Sequence, residues 1–228
     1  SSVGKKVLVA ITGLLLIGYL VLHLLGNLTL LVPDGGVAFN QYAHFLEGLF
    51  HGGLVIVFEV VLVVLFLVHA IWALTVAWLD KERARPHKYA VLRNAGGRSR
   101  KNLASRSMIL TGPLILLFVI VHVKMFKFED FTYLTHGGVE VKNLYAVVVA
   151  AFKDPLIMIA YEVAMILLGI HLWHGAWSGF QSMGWNSDRQ IELLTRLSIA
   201  AAVVLGGGFL ILPPYVYFFV DQAARGGH

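Results

Sequence analysis

The chain has 228 residues, of which 58% are apolar and only 14% charged, and its mean hydropathy is +0.76. So little charge excludes an ordinary soluble globular domain and indicates a protein of the lipid bilayer. The net charge of +5 is therefore read first as a topology signal, and no nucleic acid partner is expected. Cysteine is absent, which excludes disulfides and iron–sulfur ligation by this chain. Any bound metal must therefore use some of the ten histidines.

Five apolar runs are long enough to cross a bilayer as helices, which takes roughly 20 residues each. They cover residues 7–32, 54–79, 108–126, 155–177 and 197–220. The first run is far longer than the apolar core of a signal peptide, so no cleavable signal is expected. A further apolar stretch, 145–152, is too short to cross and is predicted to be interfacial or re-entrant. The expected fold is an all-α membrane protein, a single domain over residues 1–228 with five transmembrane helices.

Lysine and arginine are distributed unevenly between the two sides of the predicted spans. Thirteen of the 18 lie on the side of the N-terminus, nine of them in the segment 81–106, and five lie on the opposite side. Cytoplasmic loops carry the excess of positive charge, so the N-terminus is predicted to face the cytoplasm. This rule accounts for the basic segment, and a docking surface for a cytoplasmic partner is compatible with the same charge.

Four histidines, His23, His69, His122 and His171, lie inside four different predicted spans. Ionisable residues inside a membrane are costly and mark functional sites. At a rise of ~1.5 Å per residue, His23 and His122 fall toward the outer face, and His69 and His171 toward the cytoplasmic face. We call these the outer pair and the inner pair. Two imidazoles from facing helices are what a bis-histidine haem iron requires, so a bundle with two haems is expected; the alternative is that each histidine only packs or hydrogen-bonds.

Two Thr-Gly pairs have the same spacing to a histidine. Gly13 precedes His23 by ten residues, and Gly112 precedes His122 by ten residues. Ten residues are ~15 Å of helix, which places both glycines near the depth of the inner pair. Their missing side chains can make room for a porphyrin edge. Close helix packing through small residues is the alternative explanation.

With these residues identified, nearly the whole chain resembles the cytochrome b subunit of bacterial succinate:quinone oxidoreductases and fumarate reductases, in the b558 type with one five-helix anchor. Individually the matching stretches are weak, but their order and spacing together are specific. Besides the span that contains His69, they are KKVLVAITGLLLIGYLVLHLLGNL (5–28), NQYAHFLE (40–47), ARPHKY (84–89), ASRSMILTGPLILLFVIVH (104–122) and HLWHGAWSGFQSMGW (171–185).

The resemblance implies four axial haem ligands, one from each of the first four spans, which map onto His23, His69, His122 and His171. Depth alone does not decide whether His171 or His174 is the fourth ligand, because the two lie about 60° apart on one helix. The family places its fourth ligand four residues before a glycine, which here is Gly175, and this favours His171.

The resemblance also implies the partners and the location. A flavoprotein subunit with FAD would interconvert succinate and fumarate on the cytoplasmic side of the bacterial cytoplasmic membrane. An iron–sulfur subunit would relay electrons to this anchor, whose two haems b would exchange them with membrane menaquinone. The absence of cysteine agrees with clusters that lie on a partner subunit.

Four charged residues near the ends of the predicted spans are further candidates for the site. Arg106 lies at the cytoplasmic edge of the third span, where a guanidinium can hold an inner-haem propionate; positive-inside anchoring is an equal alternative. Lys124, two residues past His122, can serve an outer propionate or extend to the membrane interface. Glu59 and Glu162 enter their spans from the outer side, and the sequence leaves open whether they are interfacial or assist proton passage.

Menaquinone is expected at an outer site, because two haems in series are needed only if electrons cross most of the membrane. The expected border is an outer group before the second span, formed by Tyr42, His44, Glu47 and His51. Glu47 is the preferred proton-exchanging residue, since quinone chemistry needs a group that gives and takes protons. A solvated loop is the alternative for each member of the group.

Two other interpretations fit the same histidines. One is a dihaem cytochrome of another membrane oxidoreductase, of the hydrogenase, formate dehydrogenase or ferric reductase type, which shares the chemistry but not the order of the motifs. The other is a haem-free transporter with a histidine proton relay. A transporter is expected to show inverted repeats with broken helices, whereas the first and third spans here look like relatives that run in the same direction.

Overall fold

A computed structural model describes residues 2–80, 103–136, 138–185 and 187–221, and at 80, 103–106 and 136 it describes the backbone alone. In chain order the elements are α1 (Ser2–Asn27), α2 (Val37–Gly48), α3 (Gly53–Leu74), α4 (Leu103–Lys127), β1 (Tyr133–His136), β2 (Val139–Lys142), α5 (Leu144–Phe152), α6 (Pro155–Ser182) and α7 (Asp188–Phe219). Short 3-10 turns cover Leu28–Leu31 and Leu49–Gly52, and α3 continues as a π-helix over Thr75–Asp80. We call the end of the bundle where α1 begins the inner end, and the opposite end the outer end.

The described residues contain five helices long and apolar enough to cross a membrane, which confirms that part of the predicted fold. They are α1, α3, α4, α6 and α7, and each overlaps one of the five predicted runs; α7 begins nine residues before its run. The stretch predicted not to cross forms α5, which at nine residues is too short to span a bilayer. The basic segment of residues 81–102 lies outside the described residues.

Side chains fix where the last two long helices begin. The Asp154 carboxylate accepts the backbone N–H groups of Leu156 and Ile157 at 2.8 and 3.4 Å, directly before Pro155 in the first turn of α6. At α7, Ser187 and Gln190 form a capping box. These caps satisfy N–H groups that have no partner within the helix.

The core lies where α6 packs against α7 with α1 alongside. A Cβ added to Gly206 would lie 3.1 Å from Cα of Gly169, so the two backbones approach as closely as small residues allow. The buried apolar residues around this contact are Leu24, Ala164, Met165, Leu168, Leu172, Ala202, Leu205, Phe209 and Leu212. Helix α3 is different: an 18-residue apolar window over α2 and α3 has no buried residue, which is expected of a surface that faces lipid.

A cap of α2, the β1–β2 hairpin and α5 covers the outer end. Asn40 Nδ2 donates to Asn143 Oδ1 at 3.1 Å, and Asn40 Oδ1 accepts the N–H of Tyr145 at 2.9 Å. Asn143 Oδ1 also accepts the N–H of Ala146 and so begins α5. Both asparagines are buried, so this polar clamp joins segments that lie more than 100 residues apart in the chain.

The entry to α2 depends on a glycine. Gly36 has a φ of +90°, and a Cβ there would lie 2.1 Å from the Tyr145 ring. Only glycine combines this left-handed backbone with such a close approach. Asp34 completes the turn, because its carboxylate accepts the N–H groups of Gly36 and Ala38.

Candidate functional site

The inner pair brings together side chains from α3 and α6. The ring centres of His69 and His171 lie 6.4 Å apart, with their planes at 69°. Of the two histidines of α6 that the sequence leaves open, the ring paired with His69 of α3 is therefore that of His171. At the inner end the Lys5 ammonium lies 5.6 Å from the ring centre of Trp72, which holds the start of α1 beside the end of α3.

Both inner histidines are held through Nδ1 by the long apolar helix before their own: His69 of α3 by α1, and His171 of α6 by α4. His69 Nδ1 lies 3.1 Å from the carbonyl oxygen of Val9 and 3.3 Å from Thr12 Oγ1. His171 Nδ1 lies 3.1 Å from Thr111 Oγ1. A carbonyl only accepts hydrogen bonds, so in neutral His69 the proton is on Nδ1 and the lone pair is on Nε2. The nitrogen left to bind a metal is then Nε2.

Gly13 and Gly112, which precede His23 and His122 by the same ten residues, lie beside the inner imidazoles. A Cβ added to Gly13 would lie 2.9 Å from His69 Cε1, whereas one added to Gly112 would lie 3.7 Å from His171 Cε1. The first distance is too short for a carbon–carbon contact, and the second is ordinary van der Waals contact. Gly13 therefore lets α1 approach the imidazole of His69 closely, and Gly112 leaves space beside the ring of His171.

The outer pair brings together α1 and α4. The ring centres of His23 and His122 lie 5.9 Å apart, with their planes at 89°. His122 Nδ1 lies 3.1 Å from the hydroxyl of Tyr161, which belongs to α6. Aromatic side chains surround the two imidazoles: Tyr19, Phe118, Phe126, Tyr161 and Phe209.

Helices α1 and α4 use the same spacing to serve both levels. Thr12 and His23 lie eleven residues apart, as do Thr111 and His122. Eleven residues are about three turns and ~16 Å, so each threonine lies on the same helix face as its histidine. The sequence alone predicts no separate role for the two threonines. The one sign of such a role is that both stand eleven residues before a histidine, next to a glycine.

A cavity of about 220 Å³ opens at the outer end. It is lined by Ala43, His44, Glu47, Glu59, Phe126, Lys127, Phe131, Lys142 and Leu144. Lys142 Nζ donates to Glu47 Oε1 at 3.0 Å, and Lys127 forms a second ion pair with Glu59. The ammonium of Lys142 also lies 5.4 Å from the ring centre of Phe131. The cavity thus combines two carboxylates, two ammonium groups and an aromatic wall.

The predicted outer group is divided by the fold. His44 and Glu47 lie on α2 and line the cavity. Tyr42 instead packs on α1, where a Cβ on Gly26 would lie 2.4 Å from its Cε1. His51 is exposed in the turn between α2 and α3, where its φ is +55°.

Three further residues of the sequence analysis, Lys124, Arg106 and Glu162, lie on α4 and α6. The Lys124 side chain is exposed near the end of α4. Arg106 lies in the first turn of α4, and its side chain is outside the described part of the structure. Glu162 Oε1 is buried with no hydrogen-bond partner among the described residues.

Within the described ranges, no group of three or more His, Cys, Asp or Glu side chains is placed to hold a metal ion. Each histidine pair can therefore contribute two ligands, and any further ligands would have to come from a bound group. No protein-family model, curated protein or solved structure matches this chain.

Proposed function

We propose that this chain is the dihaem cytochrome b anchor of a bacterial succinate:quinone oxidoreductase, which transfers electrons between an iron–sulfur subunit and membrane menaquinone. The observation that carries the proposal is the pairing of four intramembrane imidazoles at two depths of one helical bundle. The succinate chemistry would lie on a flavoprotein subunit with FAD, and the clusters on the iron–sulfur subunit, since this chain has no cysteine.

The separation of the paired rings fits one metal ion between them. Two metal–nitrogen bonds of about 2 Å, with about 1 Å from each nitrogen to its ring centre, give about 6 Å between ring centres. The observed separations are 5.9 Å for His23 and His122 and 6.4 Å for His69 and His171. The separation of the ring centres in each pair is therefore compatible with one metal ion between the two imidazoles.

The donor set fits haem iron. His23 with His122, and His69 with His171, would each hold a haem iron through their imidazoles, and the porphyrin would supply its remaining nitrogen ligands. The Nδ1 contact of His69 leaves Nε2 for the metal, and the Nδ1 atoms of His122 and His171 are likewise held by hydroxyl groups. When bound, haem b supplies a reversible one-electron carrier, while this chain supplies axial ligation, orientation and burial.

The two levels divide the thickness of the membrane. The spacing of eleven residues along α1 and α4 separates them by ~16 Å, within a hydrocarbon core of ~30 Å. In this proposal the inner end faces the cytoplasm, because 13 of the 18 Lys and Arg residues belong to that side. The partner subunits then dock at the inner end, next to the His69 and His171 level.

The outer cavity is the proposed menaquinone site. Phe126 and Phe131 offer apolar faces to a quinone ring, and the ammonium groups of Lys127 and Lys142 can donate to its carbonyl oxygens. Glu47 remains the proposed proton-exchanging residue, because it lines the cavity and its side chain is 46% exposed, which gives it access to water. Turnover would then respond to membrane potential, since each electron that crosses works with or against ~2.3 kcal/mol per 100 mV.

The test is purification of the native complex from its membranes, followed by a dithionite-reduced minus oxidised spectrum and a pyridine haemochrome assay. We expect two haems b per chain, together with a flavoprotein and an iron–sulfur subunit and with succinate:menaquinone activity. Well-folded protein without haem b would overturn the proposal and favour a histidine-relay transporter. Two haems with a hydrogenase or formate dehydrogenase partner would keep the dihaem cytochrome and refute the succinate assignment.

A further inference from the structure

The inner histidines share a contact that neither their depth nor their pairing requires. Each imidazole points its Nδ1 at a threonine hydroxyl of the long apolar helix before its own, at 3.3 Å for Thr12 of α1 and 3.1 Å for Thr111 of α4. The two threonines are almost inaccessible, with 6% and 1% of their surfaces exposed. A hydroxyl buried in a membrane bundle needs a partner, because an unpaired polar group in this medium is costly.

The direction of the hydrogen bond follows from the other partner of Thr12. Its hydroxyl donates to the carbonyl oxygen of Leu8 at 2.7 Å, within the same helix. The single hydroxyl proton is thereby used, so Thr12 can only accept from His69 Nδ1. The carbonyl of Val9 imposes the same direction at 3.1 Å. His69 is therefore held as the Nδ1–H tautomer by two acceptors on α1.

We propose that Thr12 and Thr111 are positioning residues of the inner site. Thr12 accepts the Nδ1–H of His69. The Thr111 contact alone sets no direction, and Thr111 would accept the Nδ1–H of His171 once Nε2 of that histidine binds a haem iron. The inference rests on the proposed function for the identity of the metal and for the direction at Thr111, and on these contacts for everything else.

In α1 the neighbouring residues act together, because Gly13 lets the His69 imidazole approach closely and Thr12 holds it. In α4 Thr111 holds His171, and Gly112 leaves ordinary contact distance beside the ring.

The expected effect has a direction. A ligand imidazole that donates its second N–H is a stronger base, and loss of such a partner weakens metal retention by 10–100-fold in well-studied sites. A stronger base stabilises the oxidised iron, so removal of the hydroxyl should raise the midpoint potential of the inner haem. The effect should be larger at Thr111 than at Thr12, because His69 keeps the Val9 carbonyl.

The experiment compares Thr111→Ala with Thr111→Ser in the purified complex, because both lack the methyl group and only serine keeps the hydroxyl. Redox titration followed by absorbance, with haem stoichiometry, is the measurement. We expect T111S to resemble the wild type, and T111A to show a raised inner midpoint potential or loss of the inner haem, with the outer haem unchanged. Thr195 is the control, since among the described residues its hydroxyl donates to the carbonyl oxygen of Ile191 within α7 and bonds to no histidine.

Thr12→Ala and Thr12→Ser repeat the test where Val9 still holds the imidazole, so the test survives if T111A fails to assemble. Identical titrations for the alanine and serine variants at both positions would overturn the positioning role. A wild-type chain without haem is a different outcome, which would overturn the proposed function. A shift of the outer haem in T111A would also contradict the inference, because among the described residues the Thr111 hydroxyl hydrogen-bonds to His171 and to neither outer histidine.

Discussion

The Tyr161 hydroxyl lies 3.1 Å from Nδ1 of His122 and joins α6 to the outer pair, although α6 supplies its own histidine to the inner pair. One helix thus serves both levels, with a ligand candidate at one and a hydrogen-bond partner at the other. The corresponding residue of α3, in the parallel sequences Phe58-Glu59-Val60 and Tyr161-Glu162-Val163, is a phenylalanine that has no hydroxyl. The outer pair is asymmetric: among the described residues the His122 ring has a hydrogen-bond partner, whereas the His23 ring has aromatic contacts only.

Tyr161→Phe removes one oxygen from this contact and keeps the ring that packs on Phe118 and Phe152. We expect both proposed haems to be retained and the midpoint potential of the outer one to rise. A His122 that binds iron through Nε2 carries its proton on Nδ1, and this N–H would lose its acceptor in the variant. Redox titration resolves the two haems. A shift confined to the haem that is lost in His69 variants would contradict the prediction.

Substitution of a single histidine should remove one haem and leave the other. His69→Ala or His171→Ala is expected to halve the haem content and to stop electron delivery from the iron–sulfur subunit. His23→Ala or His122→Ala should remove the outer haem instead. His174→Asn is the control and should keep two haems, since the ring that faces His69 is that of His171. Pyridine haemochrome stoichiometry decides each case, and loss of a haem in H174N with H171A intact would reverse the ligand assignment.

Gly13→Ala should disturb the inner site more than other glycine substitutions in the bundle. The new Cβ would lie 2.9 Å from His69 Cε1, and the imidazole cannot move away without loss of its bonds to Val9 and Thr12. We expect reduced inner haem content or a shifted inner potential. Gly18→Ala on the same helix has nothing within 4 Å and should behave as the wild type. Equal haem content and potentials in G13A and G18A would show that the close approach has no role.

Glu47→Gln tests the outer cavity. Its carboxylate accepts from Lys142, and the amide keeps the shape of the side chain but cannot exchange protons at the same site. We expect quinone-linked turnover to fall by about 10²-fold or more, as for loss of a general acid–base group, with both haems retained and succinate oxidation by an artificial acceptor unchanged. Glu140→Gln, an exposed carboxylate on β2, is the control. Full quinone activity in E47Q would place the proton exchange elsewhere.

Asn40→Ala should weaken the outer cap without a change at either histidine pair. It removes a bond to Asn143 and leaves the buried N–H of Tyr145 without its acceptor. The expected loss is about 1–3 kcal/mol of stability, the usual cost of an unsatisfied buried group. Thermal unfolding in detergent measures it against Gln41→Ala, an exposed residue of the same helix. If N40A and Q41A unfolded at the same temperature, the clamp would contribute nothing.

Features that depend on one helix at a time could be predicted from the sequence. The five long helices follow from the length and apolarity of their runs, because a bilayer demands about 20 such residues whatever their neighbours are. The depths of the four histidines follow from the constant rise of an α-helix. The short α5 was likewise recognisable, since eight or nine apolar residues cannot cross.

Only the tertiary structure decided which side chains meet. His171 and His174 differ by a rotation of about 60° around one helix, and that rotation is set by the packing of α6 on α7 at Gly169 and Gly206. The helical form of α2, the hairpin and the cavity between them were not predicted, because Asn40 and Asn143, like Glu47 and Lys142, are brought together from about 100 residues apart. The contact of Thr12 with His69 likewise joins two helices and could not be predicted from either one alone. Periodicity records which face of a helix a residue occupies, but the partner of that face is chosen by the packing of the whole bundle.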